Sequence, residues 1–220
     1  MNPAMRKVCF GLAASIWLGA SGCSLAYYGA LEKVGIPKRE VMVHRVEKAR
    51  DSQQEAKEQF KSALERLTAL TRFQGGNLQE KYDHLQKDFD TSQAKADDVH
   101  RRIADIEDVS EALFGEWETE LGQYSNPSLR RSSEQKLRAT RQRYQQMIAA
   151  MKKAESRIAP VLDKFRDQVL FLKHNLNAQA IASLQNEVGS VETNVSALIR
   201  EMEASIREAD GFIQNMGKGS

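Results

Sequence analysis

Apolar residues recur along this chain at alternating steps of four and three, with charged residues filling the positions between. From Asn77 to Tyr124 the stepped positions are Leu78, Tyr82, Leu85, Phe89, Ser92, Ala96, Val99, Ile103, Ile106, Ser110, Leu113 and Trp117, ten of the twelve apolar. A 3.5-residue repeat keeps one stripe of an α-helix turned toward a neighbour, so the run predicts a coiled-coil seam about 70 Å long. A second run passes through Leu137, Tyr144, Met147, Met151, Ala154, Ile158, Val161, Phe165, Val169 and Leu172. A third holds Ile181, Leu184, Val188, Val191, Val195, Leu198, Met202, Ser205, Ala209 and Phe212. The earliest is Met42, Val46, Ala49, Ala56, Phe60, Ala63, Leu67 and Leu70, with Gln53 interrupting it. No strand-like alternation accompanies them, and the fold class predicted is all-α.

The punctuation between the runs divides the chain into helices at approximately 33–73, 77–124, 127–174 and 177–215. Gly75-Gly76 supplies a positive-φ stop and Asn77 a cap for the next helix. Asn126-Pro127 is a cap followed by proline at the first helical position, where its missing N–H costs nothing. Pro160 falls inside the run from Leu137 to Leu172, yet the seam stays in phase from Ile158 through Val161 to Phe165, which predicts a kink. The stretch Lys173-His174-Asn175-Leu176-Asn177 reads either as a turn between two helices or as a polar interval within one. Matched helices joined by short connections pack as antiparallel neighbours, so the architecture expected is an elongated antiparallel four-helix bundle.

Charge is distributed unevenly over these segments. Residues 77–124 carry 5 basic and 13 acidic side chains, and residues 127–174 carry 12 basic and 4 acidic. Folded back as a hairpin, the two would place Arg130, Arg131, Lys136, Arg138, Arg141 and Arg143 beside Glu107, Asp108, Glu111, Glu116, Glu118 and Glu120. Such pairs are individually weak, but together they penalise registers that separate them. The rival reading of the arginine-rich stretch is a basic surface for an anionic envelope polymer, peptidoglycan or lipopolysaccharide. Nucleic acid ranks behind both, because only Tyr144 lies near to stack on a base.

The first residues predict a location. Arg6 and Lys7 precede an apolar run from Val8 to Ala20, thirteen residues long, which is too short to span a bilayer as a helix and has the form of a secretory signal. It ends in Ala20-Ser21-Gly22-Cys23, small residues before a cysteine, similar to the cleavage box of bacterial lipoproteins, although Ala20 stands where leucine is usual. The resemblance implies removal of residues 1–22 and lipidation of Cys23; the plain alternative is a secreted protein whose cysteine is incidental. Two or three acyl chains at about 0.8 kcal/mol per buried methylene hold a protein on a membrane. By the same resemblance Ser24, in place of aspartate, implies sorting to the outer membrane. Tyr27 and Tyr28 suit either a headgroup zone or a packed helix start. Residues 23–36 are then a lipid-anchored segment, 37–215 the helical domain and 216–220 a disordered tail. Cleavage leaves 30 basic and 30 acidic residues and one cysteine, so no disulfide forms within the mature chain.

Composition narrows the chemistry. With 220 residues, 41% hydrophobic and near-balanced charge, the chain is neither disordered nor multi-spanning, and two cysteines exclude a disulfide scaffold. Asp97-Asp98-Val99-His100 holds a fragment of the di-iron helix motif, but Val99 takes the seam position. Glu80 and His84 stand four apart with no further ligand; His44 and His174 read as helix-edge residues. No nucleophile elbow or phosphate loop occurs, and Trp117 and Phe114 read as core. The expectation is no enzyme, no metal and no cofactor.

Three stretches, AYYGALEKVGIPKREVMVHRVEKARDSQ, EALFGEWETELGQYSNPSLRRSSEQ and FRDQVLFLKHNLNAQAIASL, resemble a family of Gram-negative lipoproteins catalogued as domain of unknown function 2959. The resemblance spans about residues 23–213 and implies a coiled-coil envelope protein, with no catalytic residues to carry over. The function expected is a non-catalytic outer-membrane lipoprotein, facing the periplasm, that scaffolds or docks envelope components. The alternatives are binding of an anionic polymer through the basic third helix, and a coiled-coil adaptor of an export system. The partners expected are the membrane, through the lipid, and an envelope protein; self-association stays open, and nucleic acid is not expected.

Overall fold

A computed structural model describes residues 21–72, 75 and 77–217, with side chains from Tyr27 onward apart from that of Ala178. The predicted signal through residue 20, Gly76 and the tail residues Lys218–Ser220 lie outside the described residues. Six helices and no strands occur among those described: α1 (Ser21–Lys33), α2 (Lys38–Thr71), α3 (Leu78–Leu121), α4 (Pro127–Glu155), α5 (Ile158–His174) and α6 (Ala178–Gly217).

The stops and starts are those the side chains dictate. Asn77 accepts a hydrogen bond from the Glu80 N–H at 3.2 Å, Asn126 from Ser128 and Leu129 at 2.9 and 3.2 Å, and Asn177 from Ala180 at 2.9 Å. Each cap satisfies donors that the first helical turn leaves without partners. The Asn177 cap resolves the open reading of 173–177 in favour of two helices. Gly75 adopts φ +133°, as a stop by glycine requires.

Two boundaries differ from expectation. The first long helix does not begin at 33. Residues 21–33 form a helix of their own, closed by Gly35 at φ +85°, with Ile36 N–H bonded to the Leu31 carbonyl and Gly35 N–H to that of Glu32. This is a Schellman ending, and Pro37 then restarts the chain. The last helix also runs past the expected end at 215: α6 continues to Gly217 and Met216 is buried. Near Pro160 the ladder breaks at Ser156 and Arg157, whose backbones stay in the right-handed helical region (φ −61° and −84°). A proline ring collides with the carbonyl four residues earlier, here that of Ser156, so the interruption sits one turn upstream while the seam runs on.

The four seams meet in one core. Every predicted seam position in α2 is buried, Gln53 included, and α5 and α6 bury theirs almost throughout. α2 touches α3 and α6, and the α4–α5 rod touches the same two. The section is therefore a square with α2 and the α4–α5 rod on one diagonal. All four edges are antiparallel. Ser52 donates to Asp98 at 2.8 Å across α2 and α3, while Arg141 and Glu118 pair at 2.6 Å across α3 and α4. Lys153 and Glu201 pair at 3.0 Å between α4 and α6, and Arg50 and Asp210 at 3.0 Å between α2 and α6. α3, with 44 residues, is about 66 Å long.

Gln53 and Ser205 face each other across the α2–α6 edge, both fully buried, with the Ser205 hydroxyl donating at 2.7 Å. Gln53 Nε2 has no partner among the described residues. A buried amide donor without a partner costs about 1–3 kcal/mol. The double substitution Gln53→Leu with Ser205→Ala is expected to raise the unfolding midpoint in urea, and a lowered midpoint would contradict this packing. Asp98 supplies a second test. Burial opposes its ionisation, but hydrogen bonds from Ser52 and Arg101 and the charge of Arg102 outweigh it and hold the carboxyl below its ordinary range. A depressed acid contributes stability that is complete above about pH 5 and is lost as pH falls through the folded value. Asp98→Asn is expected to cost about 1 kcal/mol at neutral pH, and urea titrations should show that difference closing on acidification.

Candidate functional site

Two features at one end of the bundle are organised beyond what packing four helices needs. The first is the seating of α1. Its backbone includes Cys23, whose side chain lies outside the described residues. Tyr28 is fully buried, and its hydroxyl donates to Asp108 Oδ2 of α3. The Arg45 guanidinium of α2 stands 5.4 Å from the Tyr28 ring centre, 3.3 Å from the same carboxylate, and donates to the Asp105 carbonyl at 2.6 Å. Burial and the Asp108 hydrogen bond push the phenol well above its ordinary pKa. Nearby, Lys38 is 7% exposed and holds Glu32 of α1 on one side and Glu116 of α3, at 2.9 Å, on the other. Desolvation alone would lower its pKa; the two carboxylates reverse this and raise it.

These contacts fix direction. Glu32 lies beside Lys38 and Tyr28 beside Arg45, so α1 runs antiparallel to α2 along the flank it shares with α3. Cys23 is five residues before Tyr28, or about 7.5 Å farther along that flank. The segment expected as a tether is a docked helix. Its signal in the sequence was Gly35-Ile36-Pro37, a helix ending followed by a restart.

The second feature is the α3–α4 hairpin. The six cations expected to face six acids do not all do so. Arg141 crosses to Glu118, and Lys152, outside the expected set, crosses to Glu107. Arg130 and Arg138 pair instead with Glu134 of their own helix, at 3.2 and 4.0 Å. Arg131, Lys136 and Arg143 make no ion pair among the described residues. The acids of α3 face neighbours on two sides: Asp108 and Glu116 are engaged by Arg45 and Lys38 of α2, while Glu111 and Glu120 make no ion pair among the described residues.

Beside these cations the core opens. Continuing the register set by Lys153 and Glu201, the last turn of α6 comes level with Arg138, so the start of α4 extends past it. The exposed inner faces of α3 and α4 bound a cleft of about 620 Å³ with Arg39 and Met216 at its edge. Trp117, read from sequence as core, is half-buried in its wall, with Nε1 donating to Ser133 at 2.8 Å. Tyr124 and Leu129 at the mouth are 41% and 58% exposed.

The remaining ionisable groups are dispersed. His44, His84 and His100 stand beside Glu47, Glu80 and Glu155 at 3.9, 3.9 and 2.6 Å. Among the described residues no three histidine, cysteine or acidic side chains gather as metal ligands, and no helix is long and apolar enough to cross a membrane. Asp88, nearly buried, lies 2.7 Å from Arg66; burial raises its pKa despite that charge.

The seating of α1 is testable apart from the bundle. Tyr28→Ala is expected to release α1, making the peptide bond after Lys33 at least tenfold more sensitive to trypsin while the helical circular dichroism of the remainder persists. Unchanged cleavage would show that Tyr28 does not hold the helix.

Comparison with curated proteins gives no match. The family model described as a protein of unknown function, DUF2959, matches residues 27–216, from the tyrosine pair of α1 to the last turn of α6. The chain belongs to that family.

Proposed function

We propose that the chain is a non-catalytic, membrane-tethered helical rod that presents a docking end to other envelope components. The observation that carries this reading is the seating of α1: the helix containing Cys23 is joined to the bundle by Tyr28, Asp108 and the Glu32–Lys38–Glu116 chain. A lipid on Cys23 would then be coupled to a rigid body instead of a loose leash, which suits a spacer or scaffold. The small residues before Cys23 support lipidation, and Ser24 supports the outer membrane as its place.

A second reading is favoured by one observation. Arg131, Lys136 and Arg143 make no ion pair among the described residues, as a surface for an anionic polymer such as peptidoglycan or lipopolysaccharide would need. The export-adaptor reading gains no such support.

Replacing Cys23 with alanine tests the tether. The variant is expected to lose incorporation of an alkyne-tagged fatty acid and to move from the outer-membrane to the soluble fraction. Retention of both label and membrane fraction would rule the tether out. For the second reading, sedimentation with peptidoglycan should weaken as salt rises and disappear in Arg131→Gln/Lys136→Gln/Arg143→Gln, whereas binding indifferent to both would dismiss it.

A further inference from the structure

We propose that the cleft where the α3–α4 hairpin outruns α6 binds a single-chain anionic amphiphile, with its acidic head on Lys136 and Arg143 and its apolar body along Trp117. This site is independent of whether Cys23 carries lipid.

The opening follows from unequal helix lengths. The α3 seam continues through Leu113 to Trp117, Tyr124 follows in the turn and α4 presents Leu129, whereas α6 is described as far as Gly217 and α2 begins at Lys38 beside Glu116. Apolar positions that would face a third and fourth helix farther along the bundle are left as the walls of a cleft. Its volume of about 620 Å³ lies in the range that small-molecule sites occupy, roughly 300–1,000 Å³.

Charge selects the occupant. Lys136 and Arg143 point no charge at any carboxylate among the described residues, although acids are abundant on the facing helix. Of the two glutamates on the wall, Glu116 is already taken by Lys38, and Glu120, which makes no ion pair among the described residues, offsets one of the two cations and leaves the other in excess. The lining is mixed, with Leu113, Trp117, Leu129 and Met216 beside polar side chains, and two uncommitted cations next to that apolar part are complementary to a molecule with one anionic end and one apolar body. The Trp117 indole is held in place by its bond to Ser133, which leaves its face as a fixed platform for a hydrocarbon chain. A second copy of the chain is less well matched, because its apolar tip would bring the cations of both α4 helices to one junction.

The test uses the full chain in neutral phosphatidylcholine nanodiscs, with Trp17→Phe leaving Trp117 as the sole tryptophan. Decanoate is the probe, decanol its uncharged counterpart, and inorganic phosphate the bare anion. Decanoate is expected to shift Trp117 emission saturably, at least tenfold more tightly than decanol, while phosphate leaves it unchanged. Lys136→Gln/Arg143→Gln should bring decanoate and decanol to within threefold of each other, and Leu129→Asp, at a solvent-exposed position, should abolish the response; circular dichroism of both variants should match the parent. Equal response to decanoate and decanol, a response to phosphate alone, or an unaltered response in both variants would overturn the site. So would a decanoate-independent dimer, seen by sedimentation and lost in Leu129→Asp, since a second copy would then fill the cleft.

Discussion

The edge between α2 and α6 is the contact on which the rest of the structure depends. The α2–α3, α3–α4 and α5–α6 neighbours are brought together by short turns, whereas α2 and α6 are the first and last of the four long rods and meet only through their side chains. Their apolar seams close the core, and Arg50–Asp210, Lys57–Glu203 and the bond from Gln185 to the Thr71 carbonyl follow one antiparallel register. Without that edge, each hairpin would leave half of every seam in water. Burial of a large apolar side chain contributes about 1.5–3 kcal/mol, so closure adds a substantial share to what the other edges supply.

Charge chooses which rods lie side by side. α2 carries 8 basic and 6 acidic side chains, α3 carries 5 and 13, α4 carries 8 and 2, and α6 carries 2 and 6. Sign therefore alternates around the square, and helices of like sign sit on its diagonals. Any single exposed pair is weak, but an arrangement that placed α3 beside α6, or α2 beside α4, would set like charges along the whole length. The same logic explains why the acids of α3 divide between two neighbours, Asp108 and Glu116 going to α2 and Glu107 and Glu118 to α4.

Much of this was legible in the residues, for a physical reason: a seam is a periodic signal, and periodicity survives in one dimension. Gln53, an apparent interruption, keeps its place in the repeat and is buried like its neighbours. Caps at Asn77, Asn126 and Asn177 are equally local and equally readable. The seating of α1 was not, because it depends on Tyr28 meeting Asp108 and Arg45, residues far apart in the chain with no spacing to connect them. The pairing of the arginine-rich stretch was only partly readable, since counting charges on a hairpin ignores the third helix that competes for its acids. The cleft required the relative ends of α3, α4 and α6, which a seam does not encode.

One closed bundle, held by its first and last rods, is the claim most directly open to measurement. In a background lacking Cys9 and Cys23, Arg50→Cys and Asp210→Cys place thiols on the flank where α2 and α6 meet. A short bismaleimide is expected to join them within one chain, in high yield and independently of protein concentration. Absence of the intramolecular product, or cross-linking only between chains as concentration rises, would contradict the account.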